Sequence, residues 1–254
     1  MEKKTRFIAL GNQKGGVGKS ALTVIYASYL HYELKKNVVI VDCDYPQHSI
    51  VNMRQTDIET VEKSGDFQLL MEKRFDRNAR KAYKIIKSGP ENALDTVIDY
   101  LDNSMSAVDV VLFDLPGTVN SRGVLNILIN LDYIFIPIIA DRRVLDSSLS
   151  FALTLDKSIK DPSIGCNLKA LHFFWNRVDK RENSELYGVF SDVARDMDLP
   201  ILNTRIPDTK KYNKELSLTR PGIFRSTLFP ADKRLLKSSR MIELISEINS
   251  IIAL

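Results

Sequence analysis

Short apolar runs alternate with amphipathic stretches along the 254 residues of the chain. Five runs are rich in β-branched and aromatic residues, which indicates strands at 7–10, 38–41, 108–113, 133–139 and 168–175. Between and after them, apolar residues recur at helical spacing and predict helices near 21–34, 66–88, 91–103, 121–130, 143–160, 184–197 and 235–254. Apolar strands that alternate with helices are typical of a sheet covered on both faces. The pattern predicts the α/β class: a doubly wound, mostly parallel sheet with helices on both faces.

The domain organisation follows from what separates these elements. The chain contains no internal repeat, low-complexity segment or clear linker, so we expect a single domain over 1–254 with a helical insertion at about 57–104. The helix predicted over 66–88 carries an apolar stripe and, about 200° away around its axis, a basic stripe. The basic stripe consists of Lys73, Arg77, Arg80, Lys84 and Lys87.

Composition excludes several classes of protein. Hydrophobic residues make up 44% and charged residues 27%, an ordinary globular balance. The two cysteines, Cys43 and Cys166, are too few for a disulfide scaffold or a four-thiolate metal site. The longest apolar stretch, 133–140, is too short to span a bilayer, and the apolar run near the start is too short for a signal peptide. We therefore expect a cytoplasmic protein without a membrane partner.

The positive charge is unevenly distributed. The net charge is only +4, yet the segments 71–90 and 201–254 each carry five more basic than acidic residues. Basic regions on an otherwise acidic body are typical of a surface that faces a polyanion, although two solvated faces explain them equally well.

The segment Gly11-Asn12-Gln13-Lys14-Gly15-Gly16-Val17-Gly18-Lys19-Ser20 follows a predicted strand and opens a predicted helix. Glycines let successive backbone N–H groups approach phosphate oxygens, and the helix N-terminus adds partial positive charge. Lys19 can reach the β- and γ-phosphates, and the Ser20 hydroxyl can bind Mg²⁺. Lys14 is an additional cation, which could serve a nucleotide held by a second subunit.

Acidic residues follow two further strands. Asp42 and Asp44 end the second strand, so both carboxylates can face a metal–phosphate site. Asp114 ends the third strand, where an acidic residue can hold Mg²⁺ through water. In parallel sheets ligands bind at the carboxyl ends of strands, which places the three near the glycine-rich loop.

The residues Lys14 to Ser20 resemble the deviant Walker A motif of the ParA/MinD ATPases, and Asn12-Gln13 is similar to the ParA, or DNA partition, branch. That family usually has two threonines after the lysine; here Ser20 keeps the hydroxyl and Ala21 offers a backbone N–H. The segment 110–117 looks like the family's Walker B strand, with a switch loop over 117–120. The family's Asp-x-Asp-Pro-Gln pattern is interrupted here by Tyr45.

The resemblance implies roles for individual residues. Asp44 would position the attacking water, Asp42 would support the Mg²⁺ shell, and the Asn176 amide would read the adenine edge. The implied catalytic residues are Lys14, Lys19 and Asp44. The implied ATP-binding residues are Lys14, Gly15, Gly16, Val17, Gly18, Lys19, Ser20, Ala21, Asn176, Arg177, Pro207 and Asp208. The implied metal ligands are Ser20, Asp42 and Asp114.

The resemblance also implies a function. ATP and Mg²⁺ would be the cofactors, and ATP would hold together a homodimer that binds DNA without sequence preference. A centromere-binding, ParB-like partner protein would stimulate hydrolysis, so that a plasmid, chromosome or conjugative element is segregated or positioned on the nucleoid. The resemblance places DNA contacts late in the chain, which favours Lys210, Lys211, Lys214, Arg220 and Arg225 over the basic stripe of 71–87.

Three alternatives remain open at this point. A MinD-like membrane-positioning ATPase would need a terminal amphipathic helix flanked by cations, and the last fourteen residues contain no lysine or arginine. A GTPase fits Asp114-Leu-Pro-Gly117, but Gln13 and Lys14 break the GTPase phosphate loop. A metabolic P-loop ligase would need a substrate pocket.

Overall fold

A computed structural model describes residues 5–78, 81–117, 121–179, 185–219 and 222–254, with only the backbone at 74–78. Its strands are β1 (Arg6–Leu10), β2 (Val38–Asp42), β3 (Lys84–Lys87), β4 (Val110–Asp114), β5 (Tyr133–Ile138) and β6 (Ala170–Trp175). They form one sheet in the order β3-β2-β4-β1-β5-β6, and every neighbouring pair is parallel. β2, β4 and β1 lie at the centre and are almost entirely apolar, as strands buried on both faces require.

Helices cover both faces of this sheet, so the predicted fold class is confirmed. They are α1 (Lys19–Ser28), α2 (Ser49–Glu62), α3 (Gly65–Asn78), α4 (Ala93–Asp102), α5 (Arg122–Asn130), α6 (Arg142–Lys160), α7 (Glu185–Asp196), α8 (Lys233–Ser238) and α9 (Met241–Ile251). One apolar core joins the sheet to α1, α8 and α9, and another joins the opposite face to α4, α5, α6 and α7. Among the described helices, none is long and apolar enough to cross a bilayer.

The helix predicted over 66–88 is wrong over its last part. Helix α3 is described over Gly65–Asn78, whereas Lys84–Lys87 forms the edge strand β3, in which Ile86 pairs with Val41 of β2 and is buried. The insertion at 57–104 is therefore not wholly helical. Lys84 and Lys87 are exposed on the edge strand, where lysines discourage pairing with another chain. Arg77 and Arg80 of the predicted basic stripe lie outside the described side chains.

Two helices also differ from the sequence expectations. The predicted helix over 235–254 is divided, because Arg240 adopts a left-handed conformation (φ 59°) between α8 and α9. Helix α2 was not predicted. It buries only Ile50, Asp57 and Val61, so the sequence has little apolar periodicity there.

Candidate functional site

The glycine-rich loop connects β1 to α1 and is fixed at its start by Asn12. The buried Asn12 amide donates to the Pro137 carbonyl and to Ser148 Oγ, each at 2.8 Å, while its oxygen accepts from the Lys14 N–H at 3.1 Å. Gly16 and Gly18 have φ angles of 76° and 96°, which side chains other than glycine rarely adopt. The loop therefore has the backbone that wrapping around an anion requires, and α1 begins directly behind it.

Lys19 lies across the mouth of this loop. Its Nζ donates to the Lys14 carbonyl at 3.2 Å. Burial lowers the pKa of Lys19, and the nearby carboxylates of Asp114 and Asp44 oppose that shift. Lys19 is thus a cation held in a partly buried, glycine-lined site that contains two acidic neighbours.

Asp114 ends β4 and is the most unusual group at this edge of the sheet. It is fully buried, and neither carboxylate oxygen has a hydrogen-bond partner within bonding geometry among the described residues. Burial raises the pKa of Asp114 to about 7; the nearby Ser20 hydroxyl opposes this, while Asp42 and Asp44 add to it. A buried carboxylate without partners is costly, so Asp114 and Ser20 fit a cation that would complete them. Mg²⁺ commonly takes one or two protein oxygens and completes its shell with phosphate and water.

Asp42 ends β2 and behaves differently from the predicted metal ligand. One carboxylate oxygen accepts the N–H groups of Ile50 and Val51, at 3.0 and 2.9 Å, and the other accepts the N–H of Asp44 at 3.3 Å. His48 Nδ1 lies 3.7 Å from the same second oxygen. Both oxygens are committed to the start of α2 and to the loop before it, so the geometry favours a structural role for Asp42 over direct metal binding.

Asp44 lies beyond Asp42 in the loop that leads to α2. Its carbonyl accepts the His48 N–H at 2.7 Å, which fixes the loop. Burial raises the pKa of Asp44, and Lys19 opposes the shift. The inserted Tyr45 is 68% exposed, packs edge-on against His48 and does not line the cavity described next. The insertion therefore leaves Asp44 facing the glycine-rich loop.

A cavity of about 820 Å³ opens above the loop, within the usual size range of small-molecule sites. The predicted site residues that line it are Gly15, Gly16, Gly18, Lys19, Ser20, Ala21, Asp44, Asn176, Arg177 and Asp208. Those that do not line it are the exposed Lys14, the buried Val17, Asp42 and Asp114, and Pro207. Most of the predicted nucleotide residues thus share one cavity although they come from four separate parts of the chain.

Asn176 divides its amide between two tasks. Its Nδ2 donates to the Val17 carbonyl at 2.8 Å, which braces the glycine-rich loop. A side chain at Gly18 would come within 3.1 Å of that nitrogen, so a glycine is needed there for close packing as well. The Oδ1 atom is buried and has no hydrogen-bond partner among the described residues. This oxygen and the second hydrogen of Nδ2 are the groups left for the predicted contact with a base.

Sequence reasoning missed one wall of the cavity. The lining includes four residues of α2, which are Asn52, Met53, Thr56 and Asp57. The available signal was that α2 follows the Asp42–Gln47 motif directly, which places its first turns at the same edge of the sheet.

The predicted DNA-binding residues do not form one free surface. Arg225 is paired with Glu215 and, like Lys210, lines the cavity. Lys211 donates to Ser238, Lys214 is half-buried, and Arg220 lies outside the described residues. Arg225 and Lys210 thus lie at the cavity wall, and the DNA contacts of all five residues stay predictions.

Comparison with known proteins supports the same interpretation. A family model described as the CobQ/CobB/MinD/ParA nucleotide binding domain matches residues 8–221. The chain belongs to this family. The resemblance to the ParA/MinD ATPases is thereby confirmed, and no curated protein sequence matches the chain.

Three solved structures illustrate the shared fold. A ParA family ATPase from Chlorobium tepidum has a TM-score of 0.64 at 17% identity, over 98% of this chain and 100% of that one. A plasmid partition protein from Borrelia burgdorferi has a TM-score of 0.57 at 19% identity, over 84% of this chain and 93% of that one. Cobyrinic acid a,c-diamide synthase from Mycobacterium smegmatis, with bound ADP and magnesium, has a TM-score of 0.56 at 23% identity, over 82% of this chain and 93% of that one.

Proposed function

We propose that this protein is a ParA-type switch ATPase: it binds ATP with Mg²⁺, dimerises around the nucleotide, binds DNA without sequence preference, and resets by hydrolysis. The observation that carries the proposal is that Lys19 lies near the fully buried Asp114, whose carboxylate oxygens accept no hydrogen bond from the described residues, at the glycine-rich loop. A phosphate accompanied by Mg²⁺ satisfies both groups at once, since the phosphate pairs with the lysine and the metal with the carboxylate.

The phosphates would lie along the N–H groups of Gly15 to Ala21 at the start of α1. Lys19 would exchange its bond to the Lys14 carbonyl for phosphate oxygens. Mg²⁺, when bound, would neutralise part of the phosphate charge. Ser20 and Asp114 would hold it. A family member that was crystallised with ADP and magnesium supports this assignment.

Hydrolysis needs a group that orients water at the terminal phosphate. Asp44 lines the cavity on the side of Lys19 and Gly117, where the phosphate chain would end. Burial raises its pKa, which moves it toward the range in which a carboxylate accepts a proton from water. We assign Asp44 to this role, as the resemblance implies.

Dimerisation rests on Lys14. Its side chain is exposed and does not line the cavity of its own subunit, while Lys19 already serves that cavity. An exposed cation at the rim of a phosphate loop is suited to the nucleotide of a second copy. In this arrangement ATP lies between two subunits and bound nucleotide controls assembly.

Two basic surfaces are candidates for the DNA contact. Lys210 lines the nucleotide cavity, and Lys211 and Lys214 follow it closely along the chain, so a bound nucleotide can affect the position of all three lysines. The exposed Lys84 and Lys87 of β3 are the competing surface. The similarity to a plasmid partition protein supports a role in segregating or positioning DNA, assisted by a centromere-binding partner protein, on the nucleoid.

Titration calorimetry with ATP and Mg²⁺ tests the nucleotide part. Lys19→Ala should abolish measurable binding, a loss of about 100-fold or more, because the phosphates lose their main counter-ion. Lys63→Ala, at the exposed end of α2, is the matched control and should bind normally. Normal binding by Lys19→Ala would show that the loop is not the nucleotide site.

Size exclusion with a slowly hydrolysed ATP analogue tests the switch. Lys14→Ala should bind the analogue as a monomer, and Asp44→Ala should form dimers yet hydrolyse ATP slowly. If Lys14→Ala dimerises normally, this lysine does not reach across the interface.

The DNA part is tested with dimers formed on the analogue. A triple change of Lys210, Lys211 and Lys214 to alanine should weaken binding to any sequence equally. Each lysine that contacts a phosphate should lower the log–log salt slope by about 0.9. A triple change of Lys73, Lys84 and Lys87 is the control. If only the control variant loses DNA binding, the surface is on α3 and β3.

A further inference from the structure

Two segments that line the nucleotide cavity are far apart in the chain: helix α2 and residues 208–216. The Asp208 N–H donates to the Val178 carbonyl at 2.9 Å, two residues after Asn176, which places the start of the 208–216 segment beside the predicted base contact. Neither segment belongs to the glycine-rich loop. The contacts that hold the two segments together therefore shape the cavity beyond the phosphate-binding part.

The 208–216 segment is held by the chain at residues 224 and 225. The N–H groups of Phe224 and Arg225 donate to the Lys214 carbonyl, at 2.9 and 3.0 Å. The Tyr212 ring packs edge-on against the Phe224 ring, with centroids 5.2 Å apart. The position of this part of the lining thus depends on where Phe224 and Arg225 lie.

The next two residues, Ser226 and Thr227, are buried and are anchored to α2. Asp57 is 2% exposed, and its Oδ2 accepts from Ser226 Oγ, the Thr227 N–H and Thr227 Oγ1, at 3.1, 2.7 and 2.7 Å. Arg54, one turn earlier, donates from Nε to Thr227 Oγ1 at 2.8 Å and from Nη2 to the Thr227 carbonyl at 3.1 Å. One turn of α2 therefore holds the chain immediately after Arg225.

Asp57 differs from the other anchors of this chain segment because it also lines the nucleotide cavity. Ser28 and Tyr32, at and just after the end of α1, donate to the carbonyls of Ser226 and Thr227 at 2.7 and 2.9 Å, but they do not line it. A buried carboxylate that accepts three donors is a strong, directional contact. Asp57 is thus the lining residue that connects α2 to residues 226 and 227.

We propose that Asp57 is a positioning residue for the nucleoside part of the bound nucleotide: through Ser226 and Thr227 it holds the 208–216 segment in place beside the base and ribose. The inference rests on the proposed binding of ATP at the glycine-rich loop. The three hydrogen bonds of Asp57 reach residues 226 and 227 and not that loop, so the phosphate contacts do not depend on it. Loss of Asp57 should therefore weaken the nucleoside contacts and leave phosphate binding unchanged.

Calorimetry with ATP and with inorganic triphosphate, both with Mg²⁺, separates the two parts of the cavity. Asp57→Ala should weaken ATP about tenfold, as the loss of a charge-assisted anchor predicts, and weaken inorganic triphosphate less than about twofold. Asp57→Asn should recover most of the ATP affinity, because its amide oxygen can accept the same donors.

Asp132→Ala is the matched control. Asp132 is also buried, accepts the Phe7 N–H at 2.9 Å and pairs with Lys169 at 2.7 Å, but it does not line the cavity. This variant should lose stability in urea unfolding and keep the ATP affinity of the wild type. An ATP loss in Asp132→Ala equal to that in Asp57→Ala would mean that destabilisation alone weakens the nucleotide.

Thr227→Val tests whether Asp57 acts through Thr227. It keeps the shape of the side chain, removes its hydroxyl and should weaken ATP about threefold with inorganic triphosphate unchanged, a result that stands even where Asp57→Ala does not fold. The double variant should lose less than the product of the two single losses, because both remove the same contact.

Four results would each overturn the inference: wild-type ATP affinity in both Asp57→Ala and Thr227→Val, equal weakening of ATP and inorganic triphosphate, losses that multiply in the double variant, or an equal ATP loss in Asp132→Ala. Absence of ATP binding by the wild type would instead contradict the proposed function, so the two failures are distinguishable.

Discussion

The ends of β2 and β4 carry the same residue in equivalent places with opposite surroundings. Asp42 and Asp114 face each other in the register of neighbouring strands, and both are fully buried. The Asp42 carboxylate accepts three backbone N–H groups, whereas neither oxygen of Asp114 has a partner among the described residues. Residue type and burial are therefore insufficient to assign a role, and the partners decide it.

The contrast has a simple physical basis. The N-terminus of a helix offers N–H groups without acceptors, and Asp42 supplies the acceptor for the start of α2. Asp114 accepts none of the described backbone N–H groups and instead lies near the side chains of Lys19 and Ser20 at the start of α1. The protein thus stabilises one carboxylate internally and leaves the other to a ligand. Four measurements test whether the two carboxylates differ in this way.

The largest expected effect is a pH dependence of stability that originates at Asp114. Burial raises the pKa of Asp114 to about 7, while an unfolded aspartate titrates near its ordinary value of 3.8. Between these values the folded state binds more protons than the unfolded state, so stability falls as pH rises. Three pKa units correspond to about 4 kcal/mol. Urea unfolding of the nucleotide-free protein from pH 4 to pH 8 measures the slope.

Asp114→Asn is the comparison that isolates this effect. The pKa values of Asp44 and Asp57 are also raised by burial and contribute in the same direction, so the difference between the wild type and the variant is the quantity of interest. The variant should lose most of the slope. The same slope in both proteins would place the titrating group elsewhere.

The second effect concerns Asp42 and stability alone. Asp42→Ala removes the acceptor for the N–H groups of Ile50, Val51 and Asp44. Loss of a helix cap together with buried unpaired donors should lower the free energy of unfolding by about 3 kcal/mol. Asp114→Ala, measured at pH 8, should lose none, because it removes a buried charge without partners. Equal losses of unfolding free energy in the two variants would show that the two carboxylates do not differ in their contribution to stability.

The third effect concerns Mg²⁺ and should follow Asp114 alone. In the wild type, ATP should bind more tightly with Mg²⁺ than with a chelator. Asp114→Asn should reduce that ratio by about 30-fold, or about 2 kcal/mol, since the metal loses its carboxylate contact. Asp42→Asn should keep the ratio, because its side-chain oxygen still caps α2. Calorimetry in the two buffers measures this affinity ratio for each variant. A reduced ratio in Asp42→Asn would show that Asp42 is a metal ligand.

The sequence predicts features that follow from local patterns, but not contacts that depend on the fold. Five strands and the placement of the motifs at strand ends follow from apolar periodicity and from the parallel topology. β3 was missed because Lys84 and Lys87 continue the helical spacing of the charges before them, and α2 was missed because it is polar on most sides. The contacts of Asp42 with α2 were missed because its partners lie eight and nine residues further along the chain and follow only from the fold.

The smallest effect concerns Asn176, which combines the two behaviours in one side chain. Its Nδ2 is satisfied by the Val17 carbonyl, and its buried Oδ1 has no partner among the described residues. By the reasoning applied to the two aspartates, the nitrogen supports the loop and the oxygen is left to a ligand. Adenine presents an amino donor at the position where guanine presents a carbonyl oxygen, so a contact of Oδ1 at that position favours adenine.

Asn176→Ala should therefore weaken ATP and GTP unequally. Loss of the brace should weaken both nucleotides about threefold, and loss of the acceptor should weaken ATP about threefold more. The ratio of the two affinities is the measurement, because the loss of the brace cancels in it. Asn213→Ala, at an exposed position of the same cavity, is the control and should leave the ratio unchanged. A ratio that also stays constant in Asn176→Ala would mean that Oδ1 does not face the base, and that this asparagine, like Asp42, serves only the backbone around it.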